Sequence, residues 1–556
     1  VPMSMVLPFI QTEDIVEFEK RVVNTKCCEI GEDVTYFLPF SWAAHYCMRD
    51  CKVLAKIWET FIKLYSGINV DGVHGVPPFS IDLLAYRTNA AIAASYMAEK
   101  IFNSDHDIWL ANGPLRDLVQ RSVVGGRCMI RDNLPCRVSS PATDLVEDFD
   151  AVSLYPSAIS RLWASRGRPR IIKEIGDTSS FMKYFMHPED TIAEGYSDGV
   201  LHITDLHTSK NRHFPVYSTK VDSIRQWCNF EEREGNLFIN AIDLWNLIEF
   251  QGATFEYDYM VVWDGERDLS IRNAINDLFQ FRKENHGAGK EHPIQLVAKL
   301  LMNSCYGRTI MKIRDTEKVI VPGEREVDGV MMPYLSQYIS RCGNTILSIQ
   351  SYGSKNYLVR KNTSDTSSVP NIVGSDILAM ARRIMCEVMC TAEDIEERDH
   401  LSPSIFYTDT DSMHIRHSLV ESLAIEFKKR YGRDLIGDNL GQFHSDFDAP
   451  KGYLAVGAIE SIFIAKKIYV DKLAILPKIG TYAPLKDDVY HIRMKGIPTA
   501  LVKGWDDFEK LWNGEEITYD LAVGRPDFKK KCGIIFTITK DERTIGPYKT
   551  DKERKF

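Results

Sequence analysis

Residues 404–415 read Ser-Ile-Phe-Tyr-Thr-Asp-Thr-Asp-Ser-Met-His-Ile, an Asp-rich segment between two apolar stretches. β-Branched and aromatic residues on both sides of it predict a strand, a tight turn and a second strand. Asp409 and Asp411 stand two residues apart, and residues i and i+2 of an extended chain point to the same side. Because neighbouring carboxylates repel each other, the pattern favours divalent cations between them and a third acidic group. Taken alone, it is more typical of an ordinary Asp-rich turn.

The composition indicates a large globular protein. A chain of 556 residues is too long for one hydrophobic core, which predicts two to four domains or subdomains. It has no run of 18 apolar residues and no visible secretory signal, so we expect an intracellular protein without a membrane partner. Twelve cysteines without a Cys-x-x-Cys pair favour reduced core cysteines. With a formal net charge of −9, a nucleic-acid enzyme would have to concentrate its basic residues in a groove.

A second carboxylate is predicted at the end of a strand. Residues 145–159 read Leu-Val-Glu-Asp-Phe-Asp-Ala-Val-Ser-Leu-Tyr-Pro-Ser-Ala-Ile, which predicts a short strand ending near Asp150, a turn, and a helix that Pro156 can begin. Asp150 would then lie beside a helix N-terminus, whose free N–H groups favour anions. A capping aspartate is the simpler interpretation of this position.

Two amphipathic helices are predicted over residues 268–285 and 293–306. The second would carry Lys299, Asn303 and Tyr306 on one polar stripe and end at Gly307 as its cap. A plain helical hairpin is the simpler interpretation, although Asn and Ser are poor residues for a helix interior. The pattern also predicts four other features: a helix over 13–21, a helix from residue 42 with Tyr46 and Asp50 on one face, a hairpin over 201–220, and a strand over 465–471 with Lys467 and Tyr469 on one face.

Three separated stretches resemble, in order, the three polymerase signatures of family B DNA-dependent DNA polymerases. They are residues 150–157 (Asp-Ala-Val-Ser-Leu-Tyr-Pro-Ser), 299–307 (Lys-Leu-Leu-Met-Asn-Ser-Cys-Tyr-Gly) and 407–412 (Tyr-Thr-Asp-Thr-Asp-Ser). Lys467-Ile-Tyr469 is similar to the Lys-x-Tyr motif of the family, and Tyr46 with Asp50 resembles its third exonuclease signature. The resemblance implies an α+β right-hand polymerase with palm, fingers and thumb, an antiparallel palm sheet, and a partial exonuclease domain at the N-terminus.

The resemblance also implies roles for individual residues. Asp150, Asp409 and Asp411 would be catalytic, with Asp150 and Asp411 binding two Mg²⁺ ions, for which Mn²⁺ could substitute, and Asp148 having a structural role. The implied partners are a DNA primer-template and dNTPs. Nucleotide binding would use Lys299, Arg282, Asn303, Tyr306, Tyr155, Ser153 and Leu154, with Tyr155 as the gate against ribonucleotides. Primer and DNA binding would use Lys467, Tyr469, Thr410, Gly125 and Gly126, and the exonuclease remnant would contain Tyr46 and Asp50.

The resemblance divides the chain into six segments. These are residues 1–120 (exonuclease remnant and linker), 121–265 (first part of the palm, with an insertion), 266–307 (fingers), 308–372 (insertion), 373–485 (second part of the palm) and 486–556 (thumb). Insertions in both intervals between signatures and a small thumb resemble the protein-primed branch found in viruses, virophages and self-synthesising transposons, which adds a terminal protein as a partner. A surface loop on an RNA- or DNA-primed enzyme is the alternative.

Some departures from the family limit the expected activity. The other two exonuclease signatures lie upstream of the third in the family, whereas only 45 residues precede Tyr46 here, so we expect no 3′→5′ exonuclease in this chain. Val123 stands where the family linker has Tyr, and Thr408 stands where Gly is common. A non-catalytic DNA-binding remnant is the other class of function. A reverse transcriptase is disfavoured because the two aspartates of that signature are adjacent, whereas Asp409 and Asp411 are separated by Thr410.

Overall fold

The computed structural model describes residues 22–26, 33–37, 39–65, 88–102, 106–110, 113–190, 195–221, 224–285, 293–310, 316–327, 329–362, 370–450, 452–478, 488–521, 528–531, 534–537 and 542–546. The chain divides into two compact units. The first consists of Val1–Arg87 and Leu278–Lys299, and the second of Thr88–Asp277 and Leu300–Phe556. No described helix combines the length and the apolar character that a bilayer crossing requires.

The helices and strands occupy the following ranges. The α-helices are Pro39–Tyr65, Asn89–Lys100, Gly113–Arg121, Leu154–Ile159, Thr178–Tyr184, Ala241–Gln251, Ser270–Glu284, Pro293–Thr309, Tyr334–Cys342, Asn371–Arg398, His417–Tyr431 and Trp505–Trp512. The strands up to residue 268 are β1 (Val22–Lys26), β2 (Asp33–Phe37), β3 (Cys128–Ile130), β4 (Cys136–Ser139), β5 (Val146–Ala151), β6 (Ala164–Ser165), β7 (Arg170–Ile172), β8 (Gly176–Asp177), β9 (Asp198–Thr208), β10 (Ser218–Val221), β11 (Ile224–Trp227), β12 (Leu237–Asn240), β13 (Ala253–Trp263) and β14 (Arg267–Asp268). The later strands are β15 (Thr316–Pro322), β16 (Arg325–Val327), β17 (Val330–Met332), β18 (Ile346–Tyr352), β19 (Asn356–Asn362), β20 (Ile405–Asp409), β21 (Ser412–Arg416), β22 (Phe443–Ser445), β23 (Tyr453–Ala465), β24 (Ile468–Pro477), β25 (Val489–Met494), β26 (Ile517–Asp520), β27 (Phe528–Lys531), β28 (Ile534–Thr537) and β29 (Glu542–Ile545).

The described part of the first unit contains the β1–β2 hairpin and the helix Pro39–Tyr65. This helix confirms the helical prediction made from residue 42 onward and includes Tyr46 and Asp50, whose side chains lie outside the described residues. The predicted helix over 13–21 also lies outside them. The ends of the helices Ser270–Glu284 and Pro293–Thr309 that belong to this unit carry Arg282 and Lys299.

The second unit is built around an antiparallel sheet. Its strands follow the order β25-β24-β23-β5-β21-β20-β3, while β22 pairs with β5 and β4 pairs with β23. One group of apolar side chains, including Tyr407, Phe463 and Tyr469, forms a core on this sheet. A second group, including Ile462 and Val470, packs with Phe508 of the helix Trp505–Trp512. Alternation of residues between the two faces of a strand explains both cores.

The long helix Asn371–Arg398 is buried and packs among other helices of this unit. Every residue of Asn371–Arg398 from Asn371 to Glu393 is buried, so its charged side chains require partners. Arg382 pairs with Asp243 at 2.5 Å. Glu387 accepts hydrogen bonds from Arg161 and Arg433, both at 2.7 Å. Four apolar residues that recur at helical spacing along this helix, Ile377, Met380, Ile384 and Val388, are all buried.

Besides several two-stranded sheets, two sheets of intermediate size belong to the described part of the same unit. The first has the order β12-β9-β13-β7, with β8 on β13, and the second has the order β15-β19-β18. The helix Ser270–Glu284 follows β14, and Asp268 determines where it begins. The Asp268 carboxylate accepts hydrogen bonds from the Ser270 backbone N–H at 2.8 Å and from Arg166 at 2.8 Å, and it contacts His106 at 2.8 Å. Burial opposes the charge of this carboxylate, but these donors lower the pKa of Asp268 to about 2.

Three local predictions are wrong. The predicted hairpin over 201–220 does not form, because β9 pairs with β12 and β13, whereas β10 pairs with β11. Gly307 does not end its helix, which continues to Thr309. Residues 465–471 do not form one strand, because Lys467 has φ 61° and lies in the turn between β23 and β24. Lys467 and Tyr469 therefore do not share a strand face.

Candidate active site

The Asp-rich segment forms the predicted hairpin. Asp409, the last residue of β20, pairs with Ser412, the first residue of β21, so Thr410 and Asp411 form a two-residue turn. Thr410 has φ 70°, a conformation that is unfavourable for a β-branched residue. Its N–H donates to the carbonyl of Arg127 at 2.6 Å, which holds the turn against the segment before β3.

The predicted Gly125-Gly126 segment lies beside this turn. A Cβ atom on Gly126 would lie 2.6 Å from Cγ2 of Thr410, whereas a Cβ on Gly125 would meet nothing within 4 Å. Gly126 therefore permits a close approach of the backbone to the turn. The carbonyl of Gly125 accepts a hydrogen bond from Arg382 at 3.2 Å.

Asp150 lies on the strand next to the hairpin. It pairs with Ser412 across β5 and β21, and the N–H of Ala151 donates to the carbonyl of Asp411 at 2.8 Å. The backbones of Asp150 and Asp411 are therefore adjacent. Asp150 is not the cap of the following helix, because the N-cap position belongs to Ser153, which has φ 50°. The simpler interpretation of Asp150 as a helix cap is wrong.

Negative charge accumulates at the turn. Burial raises the pKa of Asp411, and the carboxylates of Asp409 and Asp148 raise it further. Oxygen atoms from several carboxylates form the donor set that Mg²⁺ prefers. The residues present therefore fit a divalent cation held by Asp150 and Asp411.

Lys467 provides a positive charge at the same place. Its ammonium group contacts both carboxylate oxygens of Asp409, at 2.7 and 2.8 Å. Burial lowers the pKa of Lys467, but Asp409 more than offsets this effect, so the pKa is raised and the side chain stays charged. The N–H of Lys467 donates to the Tyr407 hydroxyl at 2.9 Å, which fixes the turn that carries the lysine. Lys467 therefore partly neutralises Asp409 but lies in a turn, not on the predicted strand.

Tyr469 is buried behind this contact. Only 3% of its surface is exposed, and its ring centroid lies 4.7 Å from that of Tyr407. Tyr469 would therefore help to hold the primer, as predicted, by packing beneath Lys467 and not by contacting the primer itself.

Tyr155 and Tyr306 stack on each other. Their ring centroids lie 3.9 Å apart, and the ring planes differ by 11°. Burial and the neighbouring Tyr306 raise the pKa of Tyr155 well above its usual range, so the hydroxyl stays protonated at neutral pH. Leu154, which precedes Tyr155, is buried in the short helix Leu154–Ile159. The structure thus brings together two tyrosines that the sequence separates by 150 residues.

The remaining predicted nucleotide-binding residues lie on the two helices of residues 270–309. Asn303 is exposed on Pro293–Thr309, in the same unit as Tyr306. Lys299 is exposed and Arg282 is half-buried, both within the other unit. Burial lowers the pKa of Arg282 from its ordinary value.

Two supporting arginines were missed by the sequence interpretation. Buried Arg382 donates to the carbonyls of Val124 and Gly125 and pairs with Asp243. Arg127 is also buried, and its guanidinium donates to the carbonyls of Phe214 and Pro215 at 2.8 and 2.9 Å. A signal was available for Arg382 alone, which is adjacent to Arg383 within an otherwise largely apolar stretch of helix, because buried guanidinium groups require partners.

A second group of potential metal ligands was not predicted as a site. One ligand atom each from Asp148, His414 and His491 lies within 4.8 Å of the others. The sequence interpretation had given Asp148 a structural role and had assigned no role to either histidine.

Comparison with known proteins identifies the family. The family model for DNA polymerase type B, organellar and viral, matches residues 39–354, which is more than half of the chain. A protein named probable DNA polymerase from Ascobolus immersus is 24% identical over 463 residues, which cover 82% of this chain and 31% of that protein. A probable DNA polymerase from Neurospora intermedia is 23% identical over 386 residues, covering 66% of this chain and 33% of that protein. The chain thus spans about a third of the length of these relatives.

The fold is similar to that of solved polymerase structures. Phi29 DNA polymerase complexed with primer-template DNA, a post-translocation binary complex, gives a TM-score of 0.58 at 15% identity, covering 97% of this chain and 78% of that chain. Its ternary complex with primer-template DNA and incoming nucleotide substrates gives a TM-score of 0.54 at 14% identity, covering 83% and 68%. These similarities confirm the predicted α+β right-hand polymerase fold. Together with the family match, they show that this chain belongs to the organellar and viral type B DNA polymerases.

Proposed function

We propose that the chain is a DNA-directed DNA polymerase that transfers a nucleotide from a dNTP to the 3′-hydroxyl of a primer. The observation that carries this proposal is the adjacency of Asp150 and Asp411, with Asp409 beside them and paired with Lys467. Carboxylates in contact with DNA phosphate would weaken binding by repulsion. Their presence at one sheet edge is therefore better explained by catalysis than by DNA binding alone.

Asp150 and Asp411 would hold two Mg²⁺ ions. When bound, the ions would activate the primer hydroxyl and stabilise the charge that develops on the triphosphate. Asp409 would contribute negative charge beside them, moderated by Lys467. Mn²⁺ would be expected to substitute, because both ions accept carboxylate oxygens.

The incoming nucleotide would be selected by the stacked tyrosines. Tyr306 supports the ring of Tyr155 at 3.9 Å, so Tyr155 has little freedom to move away from a ribose 2′-hydroxyl. Ser153 and Leu154 would shape the same site from the turn before the helix Leu154–Ile159. The triphosphate would be bound by the positive side chains of Lys299 and Arg282. Asn303 would add hydrogen bonds to the nucleotide.

Primer and template would contact the hairpin turn and its surroundings. Lys467 and Thr410 would position the primer end, and Gly125 and Gly126 would let the backbone approach the DNA closely. Tyr469 would contribute by packing under Lys467. The six predicted segments remain our proposal for the division into exonuclease remnant, palm, fingers, insertion and thumb.

The decisive experiment compares Asp411→Asn with Asp434→Asn in the full chain. Asp434 is an exposed residue paired with Lys428 and serves as a control for the loss of one carboxylate. With Mg²⁺, primed template and dNTPs, the unmodified chain and the control should extend the primer, and Asp411→Asn should not. DNA binding without extension by the unmodified chain would instead support a non-catalytic DNA-binding remnant.

We further propose that synthesis is protein-primed and serves a viral or mobile-element genome. The insertion between the second and third signatures contains the separate sheet β15-β19-β18 and the helix Tyr334–Cys342, which supports a dedicated module over an irregular loop. Covalent transfer of labelled nucleotide to a hydroxyl of a candidate terminal protein would support this proposal. Strict dependence on an RNA or DNA primer would contradict it.

We also propose that this chain has no 3′→5′ exonuclease. The proposal rests on the absence from this sequence of the other two exonuclease signatures. A labelled mismatched primer should therefore keep its length when dNTPs are omitted. Mg²⁺-dependent shortening by the purified chain would contradict this expectation.

A further inference from the structure

Four polar side chains meet on four strands of the large sheet. His414 on β21 is the direct cross-strand partner of Asp148 on β5, and Asp471 on β24 is the direct partner of His491 on β25. A contact between His414 and Asp471 joins the two pairs, although β21 and β24 are not neighbours in the sheet. The cluster therefore brings together strands that are not hydrogen-bonded to each other.

Asp471 orients both imidazole rings. Its Oδ2 atom lies 3.2 Å from Nε2 of His414 and 3.1 Å from Nδ1 of His491. Its Oδ1 atom accepts a hydrogen bond from Ser461 at 2.7 Å. A carboxylate that binds one ring nitrogen of a histidine fixes the ring and leaves the other nitrogen for a metal ion.

Two atoms of the cluster have no hydrogen-bond partner among the described residues. They are Nδ1 of His414, a residue with no exposed surface, and Oδ1 of Asp148. These two atoms lie 4.0 Å apart, too far for a hydrogen bond. Two tetrahedral ligands of one Zn²⁺ ion lie roughly 3.4 Å apart, so the two atoms would have to approach each other by about 0.6 Å to bind it. Buried polar atoms normally have hydrogen-bond partners, so two unpaired atoms that face each other indicate that a ligand binds between them.

We propose that Asp148, His414 and His491 form a Zn²⁺ site that is separate from the Mg²⁺ positions of the polymerase reaction. Two imidazole nitrogens and one carboxylate oxygen form a donor set characteristic of zinc, whereas Mg²⁺ prefers oxygen alone. Asp471 takes no part as a ligand and holds the two rings in place. A fourth position would be open to water.

The site would fasten β5 and β21 to β25. Because β5 carries Asp150 and β21 follows Asp411, the ion would fix the strands that present both carboxylates. Its positive charge would also reduce the repulsion that Asp148 exerts on Asp411. The expected role is structural, and the ion would not contact the nucleotide.

The alternative is a metal-free cluster in which protonated histidines balance Asp148 and Asp471. The two possibilities differ in zinc content, which can be measured without polymerase activity. The full chain, purified without chelator or affinity-tag metal, should contain about one zinc atom per molecule by mass spectrometry. After chelation, titration with Zn²⁺ in a large excess of Mg²⁺ should restore one site and raise the melting temperature.

The variants locate the site. His491→Gln, at the more exposed edge of the cluster, should lower Zn²⁺ affinity by at least about 100-fold, and Asp471→Asn by about 10- to 100-fold. His213→Gln, which alters a surface histidine paired with Asp132, should bind zinc normally. Asp411→Asn should lose polymerase activity and keep its zinc, so the two proposals fail independently.

Three results would overturn the assignment. The first is a folded chain, verified by circular dichroism, that neither contains zinc nor binds added Zn²⁺ in excess Mg²⁺. The second is zinc binding that His491→Gln leaves intact and Asp411→Asn removes. The third is a Co²⁺-substituted chain whose visible absorption spectrum lacks the bands of tetrahedral nitrogen and oxygen coordination.

Discussion

Replacing Gly126 with alanine tests whether the segment before β3 sets the position of the Asp-rich turn. The added Cβ would lie 2.6 Å from Cγ2 of Thr410, and ordinary contact begins at 3.4 Å, so the two atoms must separate by 0.8 Å (3.4 minus 2.6). Rotating the threonine brings no relief, because its Cβ and Oγ1 would both lie at 3.1 Å. The turn itself must therefore move.

The displacement would reach both hairpin carboxylates that we propose to be catalytic. Thr410 lies between Asp409 and Asp411, and its N–H is held to the Arg127 carbonyl at 2.6 Å, so the backbone cannot yield at the threonine alone. Overpacking of this kind costs about 1–3 kcal/mol of stability. A displacement of nearly 1 Å at reacting groups lowers the rate on the order of 100-fold. We expect Gly126→Ala to lose activity by about that factor.

The assay is single-turnover primer extension, with rates normalised to the folded fraction from thermal unfolding. Gly343→Ala is the matched control, because its Cβ would also meet nothing within 4 Å and the residue has no proposed role in binding, so it should extend primers at nearly the unmodified rate. The double variant Gly126→Ala/Thr410→Gly removes the collision and places glycine at φ 70°, so it should recover most of the loss. Equal rates for the two single variants would refute the reasoning. Failure of the double variant to recover would point instead to lost DNA contacts at Gly126 or Thr410, and the single variant Thr410→Gly separates the two.

Three other changes have defined outcomes. Lys467→Met removes a charge-assisted contact to Asp409 and should lower kcat/KM about 10- to 100-fold, which corresponds to roughly 1.5–3 kcal/mol, and steady-state extension would detect it. Tyr155→Ala should raise ribonucleotide incorporation relative to dNTPs, measured as alkali-labile sites in the product; unchanged selectivity would exclude Tyr155 as the gate. Asp268 has a folded pKa of about 2, below its ordinary value, so it stabilises the fold above about pH 4 and this stabilisation disappears as the pH falls towards 2. Asp268→Asn should therefore remove about 2 kcal/mol at pH 6 and little at pH 2, as measured by urea unfolding, with the exposed Asp264→Asn nearly neutral at both.

The hairpin with Asp409 and Asp411 and the strand with Asp150 could be predicted because their information is local. Apolar alternation identifies a strand within a few residues, and the turn residues lie between the two strands. The predicted hairpin over 201–220 failed because the partners of β9 lie farther along the chain, at β12 and β13. The prediction that Lys467 lies on a strand failed for another reason. Its positive φ occurs in the turn Lys466-Lys467, which has no glycine or asparagine to indicate a turn in the sequence.

The histidine cluster could not be predicted from the sequence. His414 lies between Met413 and Ile415 on β21, and His491 lies between Tyr490 and Ile492 on β25, which is the pattern of an ordinary strand. Asp148 and Asp471 each have one charged neighbour, Glu147 and Lys472, and neither pair marks a metal site. Their meeting depends on the curvature that brings β24 against β21, and no spacing within the sequence encodes it. The stack of Tyr155 on Tyr306 depends in the same way on tertiary packing, although the family resemblance had placed both residues at the nucleotide.

The different environments of the two hairpin carboxylates follow from the burial of Tyr407. This tyrosine, two residues before Asp409, has no exposed surface, and its hydroxyl accepts the N–H of Lys467 at 2.9 Å. The strand that ends at Asp409 therefore also anchors the turn that supplies the cation for Asp409. With that carboxylate already paired, the pKa of Asp411 is raised by burial and by its acidic neighbours. A divalent cation would relieve this excess charge, so the fold itself favours Asp411, beside Asp150, as the direct metal ligand, with Asp409 in a supporting role.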